Sequence, residues 1–162
     1  RKMRELGVNV PEPLEAFEHE GYGVVVLEYL PDFETLDELD PSAVESYAPD
    51  LFYALSRMHD AELVHGDLRA ENVLVAGGEL YFIDATKVNA DGIKDARAYD
   101  IACALAALEP IVGAGSTVGV ATEYYDSDVL ASAEGFLDFV NIRPDHDFDT
   151  LAIKGEIHKQ AD

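Results

Sequence analysis

Apolar residues fall into short, strand-like runs near both ends of the first half of the chain and into longer runs at helical spacing elsewhere. The opening RKMREL is helix-forming, Gly7 suits the position just past a helix C-terminus, and VNVPEP runs extended because residues before proline avoid the helical region. PLEAFEHEGYGVVVLEY predicts a hairpin, Leu14 to Phe17 and Val24 to Tyr29, with Gly21 and Gly23 in its turn. PDFETLDELD reads as a polar connector. From Pro41 to Asp60 the pattern is helical, with Asp40 as N-cap and Ser42 to Glu45 spaced like a capping box. Pro49 should divide this region into a short helix and a longer one carrying Leu51, Leu55 and Met58. Two short strands follow, Val73 to Val75 and Leu80 to Ile83, joined across Gly77 and Gly78 and ending on Asp84. Beyond them the spacing predicts helices over Ile93 to Leu108, Asp128 to Val140 and Phe148 to His158, with a Gly-rich loop over residues 110 to 121. No internal repeat is present.

Composition adds bounds rather than elements. The 162 residues fit one domain, and 48% apolar content suffices for an ordinary core. No run of about 18 apolar residues occurs and the N-terminus has no apolar signal core, so the expected setting is cytoplasmic, without a membrane. The single Cys103, inside the apolar run YDIACALAAL, reads as a small buried hydrophobe. Charge is the outlying property: 33 Asp plus Glu face 11 Lys plus Arg, a formal net charge of −22. That excludes the basic stripe a nucleic-acid or anionic-membrane surface needs. The acids are scattered, which favours adaptation to high salt over an acidic surface for one cationic partner. A melting temperature flat or falling with added KCl would exclude the salt reading.

The candidate chemistry lies in LVHGDLRAENVLV, residues 63 to 75. Moving a phosphoryl group requires divalent metal and cationic side chains against its charge, together with a group that orients the acceptor hydroxyl. Mg²⁺ takes hard oxygen ligands and commonly only one or two protein carboxylates. Asp84 with the neutral oxygen of Asn72 fits that demand, Asp67 can face the acceptor as base or orienting group, and Arg69 adds a cation. Bland roles exist for each. Asp and Asn satisfy turn backbone, Arg69 can be a solvated loop charge, Asp100 can be merely the N-cap of its helix, and His65 can pack and bond to backbone. His65 and Asp67 also fit a metallohydrolase pattern, but no second His cluster supports it. His19, His59, His146 and His158 read as surface residues, and GAGSTVG, lacking a Lys or a preceding strand, as a flexible connector and not a phosphate cradle.

Taken jointly, LVHGDLRAENVLV resembles the kinase catalytic loop and YFIDAT resembles the metal-binding segment that follows it, so the chain is similar to the protein-kinase-like superfamily. IDATKV after a Gly-Gly hairpin is most similar to the RIO family of atypical serine/threonine kinases, with aminoglycoside-phosphotransferase-like and lipopolysaccharide-kinase-like families as near relatives. The resemblance implies an α+β fold: a mainly helical large lobe over residues 31 to 162, preceded by a remnant of the small lobe and hinge over residues 1 to 30. It implies Asp67 and Arg69 as catalytic residues, Asn72 and Asp84 as ligands of Mg²⁺ or Mn²⁺, and the hinge Glu28, Tyr29 and Leu30 as the adenine contact. It further implies His65 and Asp100 as structural support, ATP as substrate and an unidentified hydroxyl, on a protein or a small molecule, as acceptor. Departures qualify the likeness. Gly66 replaces the usual Arg, Ala85 and Thr86 follow Asp84 in place of Phe and Gly, and only about fifteen residues separate Asp84 from Asp100. Neither a Gly-rich phosphate loop nor a strand-borne Lys is visible, and Lys2 and Glu5 do not fit the paired Lys and Glu of the family. The chain reads as cut from something longer and weakly active or inactive alone. The alternatives are a pseudokinase or binding module, and a sugar or other small-molecule kinase.

Overall fold

The computed structural model describes residues 2–85, 93–143 and 147–161. Its elements in chain order are helix α1 (Lys2–Glu5), strands β1 (Pro13–His19), β2 (Tyr22–Leu27) and β3 (Glu34–Thr35), helix α2 (Pro41–Asp60), strands β4 (Val73–Ala76) and β5 (Glu79–Phe82), and helices α3 (Ile93–Val112), α4 (Ala114–Ala121), α5 (Ser127–Asn141) and α6 (Thr150–Ala161). This is an α+β arrangement in which helices supply most of the core. Among the described residues no helix is long and apolar enough to cross a membrane.

The centre is α3. Its residues 100 to 108 are buried on every side, the pattern of a helix surrounded by others. Helices α2, α4 and α5 pack around it, and α6 closes over α4 and α5. The expected break at Pro49 does not occur: α2 is continuous, with Pro49 inside it. An interior proline forfeits one backbone hydrogen bond at a cost of roughly 3 kcal/mol. The unbroken stripe of Val44, Ala48, Leu51, Phe52, Leu55 and Met58, all buried, offsets that cost by docking both halves on one core. At the N-terminus of α2 the capping box expected at Ser42 and Glu45 is absent, since Pro41 takes the first helical position and Asp40 makes no side-chain cap bond.

Two further expectations are corrected. Residues 114 to 121 are the helix α4, not part of a flexible loop; its small side chains let Thr117, Val118 and Ala121 bury against the neighbouring helices. Only Gly113, at φ +84°, breaks the path, a conformation that side chains rarely tolerate. The polar connector also has structure: β3 pairs with β4, a 3₁₀ turn spans Leu36–Glu38, and Leu36 is fully buried. Glu38 Oε2 accepts the Thr35 backbone N–H at 2.9 Å.

Two hairpins carry the strands. β1 and β2 pair antiparallel around Glu20 and Gly21, both at positive φ, so the turn sits two residues earlier than Gly23, which lies within β2 opposite Glu18. β4 and β5 pair with Val73 opposite Phe82 and Ala76 opposite Glu79, forming with β3 a three-stranded sheet in the order β3-β4-β5. The segment after α1 is anchored to this second hairpin and to α2: Phe82 N–H donates to the Asn9 carbonyl at 3.0 Å, Arg57 Nε to the Leu6 carbonyl at 2.8 Å, and Val8 joins the core.

Candidate active site

One buried acid shapes the loop between α2 and β4. Asp100, fully buried within α3, accepts the backbone N–H of His65 on Oδ2 at 2.6 Å and that of Gly66 on Oδ1 at 2.7 Å. Both amides reach one carboxylate because Gly66 adopts φ +83°, which gives a physical reason for glycine at this position. The N-cap reading of Asp100 is overturned, since α3 begins at Ile93 and Asp100 lies in its interior. The surface reading of His59 is overturned too. His59 is buried at the end of α2, with Nε2 3.2 Å from Asp100 Oδ2 and Nδ1 2.9 Å from the Tyr125 hydroxyl. Burial pushes the Tyr125 phenol far above its ordinary range, so it stays protonated beside His59. His146 lies outside the described residues.

His65 stitches the loop to the end of β5. Its ring is buried, meets Phe82 edge-on with centroids 5.5 Å apart, and approaches the Ile83 carbonyl at 2.8 Å through Nε2. Burial lowers its pKa by more than Asp100, the Ile83 bond, Asp67 and Asp84 raise it, so the imidazole is neutral near pH 7. The tautomer with hydrogen on Nε2 satisfies Ile83 and leaves Nδ1 facing the Asp67 N–H at 3.4 Å.

Asp67 lies between two guanidinium groups. Arg69 Nη2 donates to Oδ2 at 2.9 Å and Arg143 Nη2 to Oδ1 at 3.0 Å. Burial alone pushes this carboxyl up, but the hydrogen bonds and charges of Arg69 and Arg143 outweigh it and hold the group below the usual aspartate range. Arg69 also reaches Glu71 at 3.4 Å. Asn72, buried in a 3₁₀ turn, donates from Nδ2 to the Asp67 carbonyl at 2.8 Å, which leaves the amide oxygen as the atom a hard cation would use. Its backbone carbonyl accepts the Ile83 N–H at 3.0 Å, and the next residue is Asp84. Asp84 is exposed and held at φ +56°, a left-handed conformation uncommon outside glycine and concentrated at functional sites. Asn72 and Asp84 thus offer hard oxygen donors of the type Mg²⁺ takes. Among the described residues no three His, Cys, Asp or Glu side chains converge as a metal-binding group.

The expected hinge residues Glu28, Tyr29 and Leu30 follow directly on β2. Glu28 N–H donates to the Glu12 carbonyl at 2.8 Å, and its Oε1 accepts the Glu12 N–H at 2.9 Å. Tyr29 is 78% exposed and Leu30 half-buried. A link to β5 is electrostatic: burial, then Glu79, then Glu28 raise the Tyr81 phenol above its ordinary range. Burial pushes the Cys103 thiol up to about 12, which leaves it a packing residue.

Sequence reasoning missed Arg143, which lies 76 positions from Asp67 and has no local signal. It also missed His59, whose position four residues after Leu55 puts it on the buried face of α2.

A central helix clasps a loop that runs into a short buried hairpin, and the sequence of this region carries a family signature. The RIO domain family profile (RIO1) matches residues 1–99, and the chain belongs to that family of atypical kinases. It is 29% identical over 104 residues to the KEOPS complex subunit Bud32 of Pyrococcus abyssi, covering 62% of this chain and 46% of that protein. It is 32% identical over 95 residues to the citron Rho-interacting kinase of Mus musculus, covering 52% of this chain and 5% of that one. The chain thus spans less than half the length of these relatives. Among solved structures it is similar to the PAN3 pseudokinase of Drosophila melanogaster, with TM-score 0.48 and 17% identity over 96% of this chain and 52% of that one.

Proposed function

We propose that this chain is the catalytic portion of a RIO-type protein serine/threonine kinase that transfers the γ-phosphoryl group of ATP to a hydroxyl. In this reading the new bond joins the acceptor oxygen to the γ-phosphorus, the bond from that phosphorus to the β,γ-bridging oxygen breaks, and ADP leaves. Asn72, through its amide oxygen, and Asp84 would hold Mg²⁺ or Mn²⁺. The ion, when bound, supplies charge neutralisation on the phosphates. Asp67 accepts the hydrogen bond of the incoming hydroxyl and takes its proton as the transfer proceeds. A carboxylate held below its ordinary pKa is a weak base, so orientation is its larger contribution. Arg69 places positive charge at the same edge of the site. Residues 1 to 30 act as the hinge side, with the backbone of Glu28, Tyr29 and Leu30 meeting adenine.

The observation that carries this reading is the chain of bonds from His65 to Ile83, from Ile83 to Asn72 and from Asn72 to the Asp67 carbonyl. It ties the backbones of Asp67, Asn72 and Ile83 together, and Asp84 is the residue that follows Ile83. The test is Asp84→Asn in the full-length protein with Mg·ATP, read by phosphoryl transfer and by ATP turnover. Turnover should fall by at least about 10²–10³-fold, and unchanged turnover would remove the assignment.

A further inference from the structure

Asp67 is gripped from two directions by elements far apart in sequence. Arg69 comes from the loop itself, whereas Arg143 follows the C-terminal end of α5. Arg143 is itself fixed: its Nη1 donates to the Tyr99 hydroxyl while Nη2 donates to Asp67 Oδ1. Tyr99, one residue before Asp100 on α3, packs edge-on between two aromatic rings of α5, Phe136 at 6.3 Å and Phe139 at 6.0 Å. The guanidinium therefore spans a rigid phenol and the loop carboxylate.

We propose that Arg143 is a positioning residue of the transfer site, one that fixes the plane of the Asp67 carboxylate toward the acceptor hydroxyl by way of a guanidinium anchored on Tyr99. The inference rests on the phosphotransfer reading above. An aspartate carboxylate turns broadly about its last torsion, and a single arginine bond to one oxygen leaves much of that freedom. A second arginine bond to the other oxygen removes it. Each carboxylate oxygen has two acceptor sites, so both bonds leave room for the acceptor hydroxyl. The geometry fits a site in which small misplacements of a reacting group cost up to about 10²-fold in rate.

The test uses the full-length protein with Mg·ATP. Arg143→Gln should lower kcat by about 10–100-fold with the KM for ATP unchanged, because nucleotide contacts are untouched. Arg143→Lys, which keeps the charge but cannot span both partners, should recover only part of that loss. Tyr99→Phe should lower kcat several-fold alone and have no further effect in the Arg143→Gln background, since it acts through the same guanidinium. Should Arg143→Gln fail to fold, Arg143→Lys and Tyr99→Phe decide the matter by the same kcat-against-KM split. Wild-type kcat in these variants, or a rise in KM alone, overturns the positioning role while leaving the phosphotransfer reading intact. Absence of phosphoryl transfer in the unmodified protein overturns the phosphotransfer reading itself, and the positioning role with it.

Discussion

The two hairpins of this protein are built from similar residues and live in opposite surroundings. In β1–β2 every residue is exposed except the half-buried Val24. In β4–β5, Val73, Leu74, Ala76, Leu80 and Phe82 are buried. Both ladders are antiparallel and regular apart from one irregularity between Pro13 and Glu15. Pairing is thus common to both, and burial separates them. A two-stranded hairpin in water is marginal by itself, so β4–β5 owes its firmness to the core beneath it and β1–β2 has no such support among the described residues. The candidate site sits on the supported hairpin, where loop and metal-ligand candidates can hold a fixed geometry.

Three substitutions or conditions would sharpen or break this contrast. The largest effect is expected from Phe82→Ala, which empties a fully packed site on β5 and removes the ring against His65. It should destabilise the fold by about 3–5 kcal/mol in urea unfolding, and a loss below about 1 kcal/mol would show that β5 is not held by the core. An intermediate effect concerns pH. Burial lowers the His65 pKa, so the unfolded chain takes up its proton near the ordinary value of about 6.5 before the folded one does. The contribution of His65 is full above that pH and is lost as pH falls below it. Melting temperatures should therefore fall more steeply from pH 7 to 5 in the wild type than in His65→Gln, and parallel curves would contradict the assignment of a buried neutral ring. The smallest effect is expected from Val25→Thr on β2, where the side chain is 60% exposed. Stability should change by no more than about 0.5 kcal/mol, and a larger loss would reveal packing on that face.

Much of this architecture is readable in the residue pattern, and the failures share a cause. The loop at residues 63 to 75, the Gly77–Gly78 hairpin and the helices α3, α5 and α6 follow from local periodicity and turn chemistry, because in each the signal spans only a few neighbours. The extent of α2 through Pro49 and the helix α4 in a Gly-rich run contradict local propensity, and tertiary burial overrides it in both. At the site, Asp67 and Asn72 are five positions apart and form part of a motif, whereas Arg143, His59 and Tyr125 join it across 76, 41 and 66 positions. No periodicity in one sequence encodes such pairings.

The clasp of Asp100 on the loop amides has a dynamic consequence. Its carboxylate belongs to the middle of the central helix, so the N–H groups of His65 and Gly66 are released only when the loop lifts away from the core. Hydrogen exchange at these two amides should then be slower than at loop amides that face water. In the folded molecule the loop is thus shaped from beneath, by the helix it rests on.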